Sequence, residues 1–246
     1  MKRTALFLSF FLLVLLCVAQ RASAVAVGQI DTFQDGTTDN WTNGPFAPPV
    51  VNIASGGPAG AGDRYIQLTA DGGGAGSRLT TFNFQQWIGN NYVSAGITAL
   101  EIDLLNPSAV PLSIRFAFQA VAVNGGPGYL STAMLLPVGS GWQHFSISIT
   151  PANLIAVGAP APFSTFYDDG QGWLRIINEV GTSNLNGDVV IGQLGIDNIH
   201  AVPEPRSFPL VAGGLLVLGA EAVRVRRGRM RDRNGASKCH PLIGGM

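Results

Sequence analysis

The chain has 246 residues, 15 Lys+Arg and 15 Asp+Glu, giving a formal net charge of zero. That zero is a sum over three unlike segments. Residues 1–24 carry +3, residues 25–202 carry four arginines, no lysine and twelve carboxylates for a net −8, and residues 203–246 carry +5. Charged residues make up 12% of the chain, about half the share of an ordinary soluble protein, and four arginines are too few to hold a nucleic-acid backbone on the middle segment.

The first element reads Met1-Lys2-Arg3-Thr4, then an apolar run from Ala5 to Ala19, then Gln20-Arg21-Ala22-Ser23-Ala24. A basic start, an apolar stretch of about 15 residues and small residues at Ala22 and Ala24 form a secretory signal peptide. Signal peptidase is the expected first partner, and cleavage after Ala24 leaves Val25 as the first mature residue. The run is short against the ~20 residues of a membrane-spanning helix. Cys17 lies inside it and follows Leu16 rather than a small residue, so it is no lipoprotein anchor. Its removal leaves Cys239 alone in the far tail. The middle segment therefore folds without a disulfide, and it is long enough to do so by burial.

Residues 25–202 contain short β-favouring runs between Gly, Pro, Asn and Asp clusters. Strands are predicted at 50–54, 65–70, 77–84, 99–105, 112–121, 129–138, 142–149, 173–179 and 189–201. Several alternate with period two. Leu100, Ile102 and Leu104 share one face, with Glu101 and Asp103 on the other. Leu112, Ile114, Phe116 and Phe118 oppose Ser113 and Arg115. Phe145, Ile147 and Ile149 oppose His144, Ser146 and Ser148. Such alternation marks half-buried strands of antiparallel sheets. About nine of them predict an all-β, two-sheet sandwich rather than parallel α/β units. One short helix is predicted, with Thr150 as its cap, Pro151 at its first position and Ala152-Asn153-Leu154-Ile155 following.

Three stretches carry a resemblance. Asp31-Thr32-Phe33-Gln34-Asp35-Gly36 with Asn40-Trp41, then Gly141-Trp142-Gln143-His144-Phe145, then Gly195-Ile196-Asp197-Asn198-Ile199, are similar to the opening, late and closing strands of carbohydrate-binding-module-like jelly rolls. The resemblance implies a jelly-roll sandwich with Trp41 and Trp142 in packing positions. It also implies a structural calcium ion where first and last strands meet, with Asp31 and Asp197 as its ligands. Hard carboxylate oxygens suit that ion; the alternative is that both are turn and strand-end residues making local hydrogen bonds.

After the sandwich come Pro203-Glu204-Pro205, an apolar run from Phe208 to Ala220, and a basic cluster that includes Arg224, Arg226 and Arg227. Physically this is a rigid break, a short membrane-seeking helix and a cationic stop that stays cytoplasmic. It resembles the PEP-CTERM sorting signal of exported bacterial proteins, which the membrane protease exosortase recognises. The apolar run is short for a full crossing, at ~14 residues, and contains Gly213, Gly214 and Gly219 before the charged Glu221. The predicted organisation is a signal peptide at 1–24, a β-sandwich at 25–201, a sorting signal with a short transmembrane helix at 202–227, and a basic tail at 228–246.

Catalytic constellations fail on chemistry. Glu101-Ile102-Asp103-Leu104-Leu105-Asn106 resembles the Glu-x-Asp-x-x-Glu strand of laminarinase-type hydrolases, but Asn106 stands where the acid/base carboxyl belongs. Retaining hydrolysis needs two carboxyl groups. His144 and His200 have no zinc spacing between them, and no serine stands in a nucleophile elbow. Asp71-Gly72-Gly73-Gly74-Ala75-Gly76 lacks the Gly-Lys-Ser/Thr ending of a phosphate loop. Glycan binding uses exposed aromatic faces, and Trp87, Tyr92 and Tyr167, near polar loops, are the candidate contacts. The expected protein is an exported, non-catalytic envelope or matrix component associated with exopolysaccharide. A carbohydrate-binding module with a defined site is the alternative, and a glycoside hydrolase a weaker one. A groove with two or more coplanar exposed aromatics distinguishes the module from the matrix component.

Overall fold

Turns rich in Gly, Pro and Asx residues cut the middle segment into short extended pieces, and alternating apolar residues oblige those pieces to pair and stack. The computed structural model describes residues 24–73, 77–120, 126–168 and 170–203. Its strands are β1 (Ile30–Asp31), β2 (Val51–Ile53), β3 (Tyr65–Asp71), β4 (Thr80–Asn83), β5 (Ile97–Leu105), β6 (Leu112–Gln119), β7 (Gly128–Leu130), β8 (Met134–Leu136), β9 (Gln143–Ser148), β10 (Ile155–Val157), β11 (Trp173–Asn178) and β12 (Ile191–Pro203). All pair antiparallel, in two six-stranded sheets. Sheet A runs β2-β3-β12-β5-β9, with β1 also on β12. Sheet B runs β10-β7-β6-β11-β4, with β8 also on β6. The fold is the all-β, two-sheet sandwich that the alternation predicts, with the jelly-roll form that the resemblance implies.

The core lies between the sheets. Leu100, Ile102 and Leu104 of β5 meet Ile114, Phe116 and Phe118 of β6, and all six are fully buried. Each such side chain contributes roughly 1.5–3 kcal/mol by leaving water. Without a disulfide, this burial holds the domain.

Three local expectations are corrected. The run 129–138 is not one strand but β7 and β8, because Ser131 turns inward. Its hydroxyl accepts from Phe116 N at 2.9 Å and donates to Thr132 O at 2.8 Å. The helix after Thr150 is only a 3-10 turn, Pro151–Asn153, with no side-chain cap. Ile155 leaves it to open β10, because pairing with Leu130 of β7 satisfies its backbone where a lone helical turn would not. Finally, β6 is not half-buried. Ser113 and Arg115 on its outer face are buried at 8% and 7% exposure, since the segment after β11 folds back across that face.

A bulge in β12 sets which side chains of that strand face the core. Asp197 pairs with Asp103 and His200 with Glu101, so two β12 residues stand opposite Ile102 alone. Asn198 takes up the extra length at φ 50°. The strand also runs on through Val202 and Pro203, two residues that the sorting-signal resemblance places beyond the sandwich. Ala22, Glu204, Pro205, Arg226 and Arg227 lie outside the described residues, as do the apolar runs of both termini.

Candidate functional site

The outer face of sheet B is built by alternation. Residues opposed across β4, β11 and β6 place Phe82 beside Arg175 and Arg175 beside Ala117. Half of this face is covered. Leu185, from the segment between β11 and β12, is buried on Ala117, Leu130 and Ile177, with Ile155 and Val157 packed alongside. Arg115 fixes the same segment by donating Nε to Glu179 O at 3.1 Å, while its Nη1 donates to Ser131 O at 2.7 Å. Burial beside Asp188 pushes the Glu179 carboxyl above its ordinary range.

The other half is open and forms a cavity of about 400 Å³. Its floor is aromatic. Phe82 and Trp173 stack with centroids 4.9 Å apart and planes 18° from parallel, and Phe84 extends the row at 6.2 Å from Phe82. Phe84 is 45% exposed. The chain reaches Trp173 through Gly172, whose φ is +123°. A Cβ there would collide with Gln119 O and the Tyr167 ring, so only glycine fits. Tyr167 then donates its hydroxyl to Trp173 O at 2.6 Å. The near wall is Gly44, Pro45 and Ala47, from a loop tied to the floor strand. Thr42 and Phe82 exchange backbone bonds at 3.0 and 2.8 Å, Ala47 N donates to Gly44 O, and Asn43 Nδ2 donates to Pro48 O. Between the wall residues Pro45 and Ala47 stands Phe46, 80% exposed.

Arg175 is the polar centre. It is 4% exposed. Its guanidinium carbon lies 5.5 Å from the Trp173 ring centroid and 6.0 Å from that of Phe82. Nη1 donates to Gln119 Oε1 at 2.9 Å and to Asn186 Oδ1 at 3.0 Å, Nη2 reaches Thr80 Oγ1 at 3.5 Å, and Nε has no acceptor. Burial, and then the charge of Arg78, push its pKa down to about 10, so it stays cationic at neutral pH. Arg78 also lines the cavity and is itself exposed.

The aromatics that the sequence singles out lie elsewhere. Trp87, Tyr92 and Tyr167 are 0%, 1% and 3% exposed and pack inside the sandwich, so their faces cannot meet a sugar. The physical reason is that each polar tip has an inward partner. Trp87 Nε1 donates to Asp31 Oδ2 at 2.6 Å, Tyr92 donates its hydroxyl to Trp87 O at 2.7 Å, and Tyr167 is tied to Trp173 O. Trp41 is buried as the resemblance implies. Trp142 is only half-buried on sheet A, edge-on to Tyr65 at 5.1 Å. Nearness to a polar loop is a poor guide to exposure. The better signal is period two, which puts Phe82 with Phe84 and Trp173 with Arg175 on one face.

Asp31 and Asp197 do not share an ion. Asp31 opposes Ile199 on the core side of sheet A, whereas Asp197 opposes Asp103 on the outer side. The bulge at Asn198 shifts the alternation and separates them. Asp31 Oδ2 already accepts from two indoles, Trp41 at 2.7 Å and Trp87 at 2.6 Å, and burial raises its pKa to about 6. It does not fit a cation. Asp197 is different. It is fully buried, its Oδ2 has no partner, and burial with the charges of Asp63 and Asp103 pushes its pKa up to about 7. Asp63 in turn is held by Gln34, whose Nε2 meets Asp63 Oδ1 at 2.7 Å, Thr32 O at 3.0 Å and Arg64 O at 3.2 Å. Only Asp197 Oδ2 is unpartnered here, since Asp63 Oδ1 accepts from Gln34 Nε2 and Asp63 Oδ2 from Ala59 N, both at 2.7 Å. A hard cation such as calcium would be held by Asp197 and Asp63 by displacing those donors, and no three acidic or imidazole side chains cluster as a metal site among the described residues.

The broken hydrolase motif is a sheet surface. Asp103 Oδ1 lies 2.8 Å from His144 Nδ1, and Glu101 Oε2 faces His200 Nδ1 at 3.4 Å. Asn106 is a buried turn anchor that donates Nδ2 to Val110 O and Pro137 O and accepts from Ser108 N. At the other end of the domain, Val25 is fully buried and its N–H donates to Ile88 O at 3.2 Å, directly after Ala24.

No known family matches the sequence, and no curated protein does. Solved structures match in overall shape. One is an exo-beta-agarase, at 12% identity and TM-score 0.49; the match covers 73% of this chain and 26% of that one, so this chain spans about a quarter of it. Another is a family 11 carbohydrate-binding module from Clostridium thermocellum in complex with a beta-1,3-1,4-mixed-linked tetrasaccharide, at 17% identity and TM-score 0.43 over 73% and 99% of the chains. A third is the CBM22-1 xylan-binding domain of Paenibacillus barcinonensis Xyn10C, at 14% identity and TM-score 0.42 over 73% and 98%. Identities and scores this low transfer no site from one chain to another.

Proposed function

We propose that this protein is an exported, non-catalytic glycan-binding sandwich whose ligand lies on the aromatic floor of sheet B. One observation carries the reading: an open cavity of about 400 Å³ floored by Phe82 and Trp173 and rimmed by polar side chains. Sugar rings present apolar C–H faces that stack on aromatics, and their hydroxyls take hydrogen bonds from a polar rim. The volume suits one or two rings of a longer polymer. A matrix component without a binding groove has no use for this arrangement, so the defined-site reading is preferred. Binding of wild-type protein to a polysaccharide array, lost in Trp173→Ala with the fold intact, is the expected result. An unchanged array profile in that variant would overturn the assignment.

The resemblance of residues 202–227 to a PEP-CTERM signal supports a delivery route. In this reading signal peptidase removes residues 1–24, exosortase processes the C-terminus at the inner membrane, and the sandwich reaches the cell envelope or exterior, where exopolysaccharide is the natural ligand pool. Glu204→Ala should leave the C-terminal segment uncut in a strain that has exosortase. Normal processing of that variant would sink the route without touching the glycan site.

A further inference from the structure

The cavity is cationic on an acidic domain. Residues 25–202 carry only four arginines against twelve carboxylates, yet two of the four, Arg78 and Arg175, line this one cavity, and no acidic side chain among the described residues does. Neither arginine is in an ion pair among the described residues; the only pairs there are His144 with Asp103 and His200 with Glu101. Two like charges held together without a counter-ion raise the energy of the unliganded site, and a bound anion relieves it.

The hydrogen-bonding sense of the wall points the same way. A neutral sugar hydroxyl both donates and accepts, so a site for it needs acceptors as well as donors. Arg175 engages one lone pair on each nearby side-chain acceptor: Asn186 Oδ1 and, behind the lining, Gln119 Oε1 through Nη1, and Thr80 Oγ1 at 3.5 Å through Nη2. Among the lining side chains, the donors of the Arg78 guanidinium, the Asn186 amide nitrogen and the Thr80 hydroxyl outnumber the lone pairs left on Asn186 Oδ1 and Thr80 Oγ1. A carboxylate is acceptor-only, and its two oxygens match a guanidinium fork.

We propose that the cavity selects a carboxylate-bearing polysaccharide, of the polyuronate class, over a neutral one. A pyranose ring of the polymer packs against the open side of the Phe82–Trp173 stack, and its carboxylate meets Arg78, with buried Arg175 adding positive charge beside the rings. This rests on the glycan reading of the same cavity.

The test uses the full chain, calorimetric titration and three probes: polygalacturonate, a neutral mixed-linkage β-glucan, and polyglutamate as a carboxylate polymer without sugar. Arg78 is exposed, so Arg78→Gln should fold normally, and an unchanged melting temperature checks this. The expected result is binding to polygalacturonate that weakens about tenfold or more in Arg78→Gln and also weakens in 1 M salt, where screening shortens to about 3 Å. Neutral glucan and polyglutamate should bind much less well. Binding to β-glucan equal to or tighter than to polygalacturonate, with Arg78→Gln indifferent and Trp173→Ala inactive, overturns the anionic selectivity and leaves the glycan reading standing. Equal binding of polyglutamate and polygalacturonate, or binding of none of the three and of nothing on a polysaccharide array, overturns the glycan reading itself.

Discussion

Trp173 of β11 and Phe82 of β4 stack across neighbouring strands at 4.9 Å, with the Arg175 guanidinium carbon 5.5 and 6.0 Å from their respective centroids. The pair is a surface feature, outside the core cluster that holds the sandwich together. Trp173→Ala should therefore cost little stability, with a melting temperature within a few degrees of wild type, and should weaken polysaccharide binding about tenfold or more. Affinity electrophoresis beside a thermal melt separates the two effects.

Gly172 places that tryptophan. Its φ of +123° and the collisions a Cβ would make there mean that Gly172→Ala must move β11, Tyr167 or both. The expected loss is roughly 1–3 kcal/mol of stability, read by urea unfolding. Binding should fall as well, although position 172 itself is not a cavity-lining residue.

Asp31 makes stability depend on pH. Its folded pKa is about 6, above the ordinary 3.8, because burial outweighs the two indole donors. Between those values the folded state holds a proton that the unfolded state has released. Stability from this group is thus fully present below about pH 4 and is lost as pH rises through about 6. Asp197, raised to about 7 in the metal-free protein, acts with the same sign there, so the titration is run in EDTA. Urea midpoints should fall from pH 4 to pH 7.5, and Asp31→Asn should remove the part centred near 6. A wild-type midpoint that rises steadily across this window contradicts the assignment.

The orphaned Asp197 Oδ2 beside Asp63 gives a metal-removal test. EDTA should lower the melting temperature at neutral pH, and added calcium should restore it. Asp197→Asn should respond to neither. Asp31→Asn should keep the full calcium response, because the sheet separates it from the pocket.

Val25 is sealed into the core, with its N–H on Ile88 O. The proposed cleavage after Ala24 would therefore leave a buried residue as the new N-terminus. If the proposed export route holds, mass spectrometry of protein recovered outside the inner membrane should find Val25 as its N-terminus. Val25→Asp should destabilise the domain by burying an unpaired charge, which a melt of the refolded protein would register.

Alternation made β5, β6 and β9 legible from the sequence, together with their core faces, because strand side chains have period two whatever the tertiary context. The acidic, cysteine-free and lysine-free character of the middle segment was equally legible, since composition does not depend on the fold. The two-residue β1 and three-residue β10 were not. They are too short to show a period and exist only because β12 and β7 offer them partners. The site expectations that failed were set without the sheet register. Trp87, Tyr92 and Tyr167 were judged by local neighbours and the Asp31–Asp197 pairing by resemblance, whereas which side a residue faces is set by strand register and by what lies across the sheet.

The sequence by itself determined an unbridged all-β domain of net −8 between two basic ends, because charge, cysteine count and alternation are sums over residues. Only the tertiary structure decided that Arg78, Arg175, Phe82 and Trp173 meet. They come from different stretches of the chain, and hydrogen-bond register between β4 and β11 brings them together. A bulge at Asn198 decided that Asp31 and Asp197 stay apart. A single inserted residue reverses which face a side chain takes, and no count of residue types records it.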